Sequence, residues 1–204
     1  MAERLGFSYL DTGAMYRASA LAAIENSIPL TDHEKVAREL RTHSIDVEDG
    51  DIFLDGRDVS SLIRTSRISE AASVISSGSP VRKVMVELQR RFASRRDTVA
   101  EGRDMSTVVF PKADLKVYVI ADVAIRVCRR WREMRAKGEE ADFHSLLKSQ
   151  LLRDRRDRTR SDSPLRLAPG AVIVDSTLMS IHQQVSAVLK AYEKVRRRKG
   201  GGLS

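Results

Sequence analysis

The 204 residues carry 36 Lys and Arg against 28 Asp and Glu, a formal net charge of +8, and 42% of them are hydrophobic. This composition is typical of one basic globular domain that is large enough to bury a substantial core. The single cysteine, Cys128, excludes an internal disulfide and a thiolate zinc cluster, and it fits a reducing compartment. The scattered histidines and the short uncharged runs predict no histidine metal site, membrane span or secretory signal.

The positive charge is concentrated in two segments. Residues 126–160 hold twelve Lys and Arg against six acids, and residues 194–199 add five cations. Arginine dominates the first segment, and guanidinium groups suit bidentate binding of phosphate oxygens. A solvated helix face with interleaved acids explains the same composition, so charge alone leaves both interpretations open. The end of the chain, residues 196–204, is basic and glycine-rich, and we expect it to be disordered.

The first half of the chain predicts a strand, two helices and a hairpin in that order. Residues 7–11 favour a strand, an alanine-rich helix begins at Thr12, and a second helix follows with Thr31 or Asp32 as its N-cap. Two Asp-Gly pairs flanked by alternating apolar residues then indicate a hairpin. The turns are expected at Asp49-Gly50 and Asp55-Gly56, and further helices at residues 66–96 with an interruption at 78–80.

The second half alternates strands with helices. Residues 98–101 and the apolar runs in LKVYVIAD and AVIVDS predict strands, the last two buried on both faces as in parallel sheets. An amphipathic helix is expected at residues 180–195. Carboxylates lie at the ends of four predicted strands. Strands that alternate with helices and end in this way favour a doubly wound α/β fold, which is a parallel sheet with helices on both faces. Ligands of such sheets bind at the carboxyl ends of the strands. The four carboxylates are Asp11, Glu101, Asp122 and Asp175.

Five ordered motifs give the chain a specific resemblance. YLDTGAMYR, DGRDVSSLIRT, AASVISSGSPVR, AEGRDMSTVVFP and RDRRDRTRSDSPL resemble, in order and spacing, the bacterial cytidylate kinase family of nucleoside monophosphate kinases. The resemblance implies a P-loop NTPase-like domain at residues 1–195, with an NMP-binding insertion at about 30–97 and a lid at about 126–145. It also implies transfer of the ATP γ-phosphoryl group to CMP or dCMP with Mg²⁺, in cytoplasmic pyrimidine metabolism.

The resemblance also implies site residues. The cytosine edge would be contacted by Thr12, Ser73, Arg82 and Asp104, and a carboxylate that accepts beside a guanidinium that donates suits cytosine on hydrogen-bonding grounds alone. The CMP phosphate would be held by Arg17, Arg103 and Arg160, and the sugar hydroxyls by Arg153 and Asp157. The lid would place Arg129 and Arg130 over the transferring group, so the catalytic set is Arg103, Arg129, Arg130, Arg153 and Arg160. Asp11 and Glu101 would serve the metal's water shell or hold the arginines.

Several of these residues also have a purely structural interpretation. Arg153, Asp157 and Arg160 have the spacing of one helix face, where exposed ion pairs are worth only about 0.3 to 0.5 kcal/mol each. Thr12 and Ser73 have the residue types of caps and turns. Phosphoryl transfer depends on charge neutralisation and alignment, so an arginine cluster fits it as well.

One departure from the family is the missing phosphate loop. No G-x-x-x-x-G-K-[ST] motif occurs in the chain, and residues 2–5 look like the end of the helix that would follow such a loop. We expect a late start assignment, a true truncation or a separately supplied segment, with the first favoured. Without the phosphate loop we expect impaired activity. We expect a monomer when the first strand, loop and helix of the fold are present. Without that central strand, the exposed strand edges should make the protein prone to association.

An alternative from another functional class is a non-catalytic protein that binds nucleic acid through its arginine-dense helices. Such binding would fall steeply with salt. The low aromatic content, 5%, provides few side chains for base stacking and weighs against this alternative.

Overall fold

The computed structural model describes residues 1–48 and 50–200, and the chain divides into two compact units, Met1–Met105 and Ser106–Ser204. Both units combine helices with a parallel pair of strands, which confirms the α/β class. Within the described residues, no helix has the length and apolar character needed to cross a membrane.

The first unit is built on a parallel strand pair at whose ends polar residues meet. Strands β1 (Ser8–Asp11) and β5 (Thr98–Glu101) pair in parallel, with Asp11 opposite Glu101. The helices of this unit are α1 (Ala2–Leu5), α2 (Thr12–Glu25), α3 (His33–Leu40), α4 (Ser66–Ile75) and α5 (Ser79–Ala93). The predicted interruption between α4 and α5 is confirmed, since α5 begins with Ser79-Pro80 at its first turn.

The predicted hairpin forms a separate antiparallel sheet. Its strands are β2 (Ile45–Glu48), β3 (Asp51–Leu54) and β4 (Arg57–Asp58), followed by a 3-10 helix at Leu62–Arg64. Asp49, in the first predicted turn, lies outside the described residues. Asp55 and Gly56 both have positive φ, at 51° and 77°, which matches the two-residue turn that their sequence predicts.

Helix α2 is the centre of the first unit's core. Almost all of its residues from Ala14 to Ala23 are inaccessible to solvent or nearly so, and it packs against α3 and α4. The Asp11 side chain caps α2 by accepting from the Ala14 amide at 2.8 Å, and Asp32, one of two predicted caps, accepts from the Lys35 amide at 3.0 Å. These caps satisfy amides that the first turn of a helix leaves without partners.

The second unit combines two parallel strands with three longer helices. A π-helix at Met105–Val109 crosses the boundary, after which β6 (Val117–Ile120) pairs in parallel with β7 (Val172–Asp175). The helices are α6 (Val123–Ala136), α7 (Phe143–Thr159) and α8 (Ile181–Gly200). Helix α8 therefore includes residues 196–200 of the segment for which we expected disorder, while residues 201–204 lie outside the described part.

The expectation that β6 and β7 are buried strands is wrong. Val119 is 56% exposed and Ile173 is 54% exposed, whereas Val174 is buried. A parallel strand is buried only when neighbouring strands and helices cover both of its faces, and this pair has only two strands. An apolar sequence shows that a strand can be buried but not what covers it.

The hairpin is fastened to α3 through His43. The ring lies between two carboxylates, with Nδ1 2.5 Å from Asp55 Oδ2 and Nε2 3.1 Å from Glu39 Oε1. Partial burial lowers the pKa of His43, but the hydrogen bonds to Asp55 and Glu39 outweigh this effect and leave the pKa above its usual 6.5. The hydrogen bond from His43 lowers the pKa of the Asp55 carboxyl below its usual 3.8.

We predict a pH-dependent contribution of this cluster to stability. Because folding raises the pKa of His43, the stabilisation by His43 is complete below pH 6.5 and is lost as the pH rises through the folded pKa. Because folding lowers the pKa of Asp55, the stabilisation by Asp55 is complete above pH 3.8 and is lost as the pH falls through the folded pKa. The effect should not exceed about 1 kcal/mol, since Asp55 is half exposed and water screens the pair. Urea unfolding from pH 5.5 to 8.5 should show a flatter profile for His43→Ala than for the exposed control His182→Ala. Equal profiles would contradict the prediction.

Candidate functional site

Polar residues of the first unit converge where β1 and β5 end. The Thr12 hydroxyl donates to the Glu101 carbonyl at 2.6 Å, and the Asp11 carboxylate accepts from Arg17 at 3.1 Å in addition to its capping bond. Arg17 and Thr12 both lie in the first turns of α2, so the strand order and the helix start place them at the same edge. The structure thus brings together three residues that the sequence placed at a ligand site.

A buried ion pair joins α5 to the loop after β5. The guanidinium of Arg82 donates to the carboxylate of Asp104, and the two side chains are only 3% and 5% exposed. Arg82 also donates to the Ser76 carbonyl at 3.3 Å, which ties the pair to the end of α4. The buried pair thus combines a group that only donates with a group that only accepts, in the loop that follows β5.

The two other predicted site residues of the first unit, Ser73 and Arg103, lie close in sequence to residues that contact or form the Arg82–Asp104 pair. Ser73 is on α4, one turn before Ser76, and its carbonyl accepts from the Ser76 hydroxyl at 3.2 Å. Arg103 directly precedes Asp104 and is exposed. Thr12, Ser73, Arg82 and Asp104, spread over 93 positions of sequence, are therefore on elements that pack within one unit.

The sequence analysis assigned no role to two further residues at these strand ends, Gly102 and Tyr9. Gly102 has no room for a side chain, because a Cβ there would lie 2.5 Å from Thr12 Oγ1 and 2.7 Å from Met105 Cε. Desolvation, followed by the neighbouring Glu101 carboxylate, raises the pKa of Tyr9 well above its usual range, so the phenol stays protonated and can donate. The diagonal placement of Tyr9 and Glu101 across a parallel pair is a signal that the register alone provides.

In the second unit, the end of α7 carries a buried pair. Arg160 Nη1 lies 3.9 Å from Asp157 Oδ1, and both side chains are at most 10% exposed. The expectation that Arg153, Asp157 and Arg160 share one helix face is wrong for Arg160. Helix α7 ends at Thr159, and Arg160 has an extended backbone whose side-chain Nε donates to the Ser163 carbonyl at 2.8 Å. Arg153 and Asp157 remain one turn apart on α7.

Helices α6 and α7 are joined by a bidentate contact. Arg126 donates to both carboxylate oxygens of Asp154, at 3.1 and 2.7 Å, and Gln150 donates to the same carboxylate at 2.8 Å. Asp154 follows Arg153, so this contact sets the position of the α7 segment that carries the predicted sugar and phosphate ligands.

The two arginines assigned to the lid differ in their surroundings. Arg129 Nη2 donates to the carbonyls of residues 176, 177 and 179, the shortest distance being 2.6 Å. Arg130, the next residue on α6, makes no hydrogen bond or ion pair to any residue that the structure describes. The side chains of these adjacent arginines therefore differ in their hydrogen bonding, and the sequence alone did not predict this difference.

Two carboxylates of the first unit lie opposite each other at the strand ends. Among residues 1–48 and 50–200, no three His, Cys, Asp or Glu side chains form a metal cluster. Hard divalent cations prefer carboxylate oxygens, and Asp11 opposite Glu101 offers two such groups.

Parallel strands with polar residues at their carboxyl ends are the arrangement in which α/β proteins bind their ligands. Comparison with known proteins then narrows this class. The family described as Cytidylate kinase matches residues 1–194. A cytidylate kinase of Carboxydothermus hydrogenoformans is 41% identical over 194 residues, which cover 93% of this chain and 87% of the relative. That of Solibacter usitatus is 43% identical over 93% of this chain and 83% of the relative. The chain belongs to the cytidylate kinase family, whose members are phosphotransferases.

We predict that the Arg82–Asp104 pair is required for the stability of the first unit. Asp104→Asn removes the charge that compensates the buried guanidinium, and the cost of breaking such a pair is roughly 3–5 kcal/mol. Chemical unfolding followed by circular dichroism should show this loss, while the exposed control Asp46→Asn should unfold like the unmodified protein. A loss below about 1 kcal/mol, the typical size for an exposed pair, would contradict the prediction.

Proposed function

We propose that this chain binds CMP or dCMP and serves the transfer of a phosphoryl group from ATP to that nucleotide, giving CDP or dCDP. The observation that carries the proposal is the buried Arg82–Asp104 pair in the unit that holds Thr12 and Arg17. Family membership supports the reaction, and nothing in the comparisons supports the nucleic-acid alternative.

Cytosine recognition follows from which groups can donate and which can accept. A carboxylate only accepts, so Asp104 suits the exocyclic amine of cytosine, and a guanidinium only donates, so Arg82 suits the ring nitrogen and carbonyl acceptors. Uracil has a carbonyl where cytosine has its amine. Asp104 would then face an acceptor, and a buried site that pairs polar groups rejects such a mismatch strongly.

Thr12 adds to this discrimination because its hydroxyl proton is committed. The hydroxyl donates to the Glu101 carbonyl at 2.6 Å, so its remaining capacity is to accept. Ser73 on α4 completes the proposed base-recognition set. Gly102 keeps the Thr12 side chain in place, since any larger residue would contact Oγ1.

Phosphate binding is proposed for the arginines. The Arg17 guanidinium forms an ion pair with Asp11 through Nη2, and we propose that its other N–H groups bind the phosphate. Arg103, which is exposed and precedes Asp104 in the chain, would bind the same phosphate. In the second unit we assign phosphate contacts to Arg130 and Arg160, and the sugar hydroxyls to Arg153 and Asp157. Mg²⁺ bound with ATP supplies charge neutralisation, and Asp11 and Glu101 would hold its water shell.

We predict that Thr12→Val lowers discrimination between CMP and UMP. Valine keeps the shape of threonine but cannot accept, so CMP affinity should fall about tenfold, the size of one hydrogen bond of roughly 1.4 kcal/mol, while UMP affinity should fall less. Isothermal titration calorimetry with both nucleotides measures the ratio.

The matched control is Thr42→Val, because the Thr42 hydroxyl also donates to a backbone carbonyl, that of Glu39, but is exposed. An equal loss of CMP and UMP affinity in Thr12→Val would contradict base recognition by Thr12. Failure of the unmodified chain to prefer CMP over UMP and AMP would overturn the proposed substrate.

We further predict slow turnover by the 204-residue polypeptide. It contains no G-x-x-x-x-G-K-[ST] motif, whose backbone amides and lysine bind the transferring phosphates in P-loop enzymes. A coupled assay with ATP, Mg²⁺ and CMP, run beside the Carboxydothermus hydrogenoformans relative, measures this. Turnover near the usual kinase range of about 1–100 per second would contradict the prediction.

A further inference from the structure

Arg126 joins three elements of the second unit. It lies near the start of α6, and its Nε donates to the carbonyl of Ala121, the residue after β6, at 3.2 Å. Its Nη1 and Nη2 donate to the two carboxylate oxygens of Asp154 at 3.1 and 2.7 Å. A bidentate contact between two planar groups fixes their direction as well as their distance. Asp154 on α7 is therefore held in one orientation relative to α6 and the end of β6.

Apolar packing does little to set the rotation of α7 about its own axis. Within Phe143–Thr159 the one buried side chain is that of Asp157, whereas Leu151 and Leu152 are 49% and 53% exposed. A helix usually turns an apolar face toward a core, and α7 has no buried apolar face. Polar contacts must then set its rotation, and Asp154 accepts three of them, from Arg126 and from Gln150.

The residues that hold α7 share one face of the helix with the proposed sugar ligands. Gln150, Arg153, Asp154 and Asp157 have the i, i+3, i+4 and i+7 spacing of such a face. Because they are on one helix, a rotation of α7 that breaks the contact between Arg126 and Asp154 turns Arg153 and Asp157 by the same angle. The direction of these two side chains is thus coupled to a contact that they do not make themselves.

We infer that Arg126 and Asp154 are positioning residues that give the site its preference for the hydroxyls of the nucleotide sugar. The pair fixes the rotation of α7 at which Arg153 and Asp157 bind those hydroxyls, and neither member of the pair contacts the nucleotide. The assignment of the sugar to Arg153 and Asp157 rests on the proposed function, whereas the attachment of α7 to α6 rests on the distances alone.

The experiment compares CMP with 2′,3′-dideoxy-CMP, which lacks both sugar hydroxyls. Isothermal titration calorimetry should show that the unmodified chain binds CMP about tenfold or more tightly than the analogue, the effect of one hydrogen bond to a charged group. Asp154→Asn keeps the shape of the side chain but places an amide donor against the Arg126 guanidinium. It should lower the preference to about threefold or less, while affinity for the analogue stays within about twofold.

Two results for Asp154→Asn would overturn the inference. An equal loss of affinity for both nucleotides would indicate a merely structural role. An unchanged preference would show that other contacts hold α7.

The matched control is Arg155→Gln, which changes an exposed residue next to Asp154 on the same helix. It should leave the preference for CMP within about twofold of that of the unmodified chain. A loss as large as that in Asp154→Asn would overturn the inference, since any change of charge on α7 would then be sufficient.

Variants of Arg126 test the other half of the pair and cover a folding defect in Asp154→Asn. Arg126→Lys keeps the charge but offers one ammonium in place of a planar fork, so its preference should lie between those of the unmodified chain and Asp154→Asn. Arg126→Gln combined with Asp154→Asn should lose no more preference than Asp154→Asn alone, because both changes break the same contact. Additive losses would show that the two residues act separately and would overturn the inference.

Asp157→Asn separates this inference from the proposed function, because it changes a proposed sugar ligand directly. If Asp157→Asn removes the preference for CMP and Asp154→Asn does not, the inference is wrong and the sugar assignment stands. If the unmodified chain binds neither nucleotide or binds both equally, or if Asp157→Asn keeps the preference, the sugar assignment is wrong and the inference is overturned with it.

Discussion

The buried pair of Arg82 and Asp104 is the interaction on which the first unit depends. A charge removed from water is tolerated only beside an opposite charge, so α5 and the loop after β5 must meet where these side chains meet. The same loop after β5 contains Gly102, which lies against Thr12, and Arg103. The same pair that constrains the fold then supplies the acceptor and the donors of the proposed cytosine site, so stability and specificity are linked.

The two units obtain their order from different sources. In the first, α2 lies in a continuous apolar core with α3, α4 and the hairpin. In the second, the buried apolar residues of the described part are few, namely Val109, Val127, Ala168 and Val174. Polar contacts of Arg126, Arg129 and Arg160 hold its helices and loops instead. These three arginines of the arginine-dense segment thus hold the fold of the second unit, a role that neither interpretation of the segment's charge had included.

Helix ends and turns that depend only on neighbouring residues were predicted well. Asp32 before α3, Ser79-Pro80 at the start of α5 and Asp55-Gly56 between β3 and β4 act within a few residues, and the structure agrees with each. Predictions that needed the surroundings were less successful. The apolar runs of β6 and β7 are half exposed because burial depends on covering elements. Arg160 lies just past the end of α7, and its side chain donates to the Ser163 carbonyl, a contact that the helical spacing did not predict.

The sequence by itself determined the family, the α/β class and the residue types available to the site, because motifs, periodicity and caps are properties of neighbouring residues. Only the tertiary structure decided which charges face one another. Arg82 and Asp104 are 22 residues apart, Arg126 and Asp154 are 28 apart, and Arg129 binds carbonyls almost 50 residues away. The energy of such contacts depends on burial and direction, which arise only when distant elements pack.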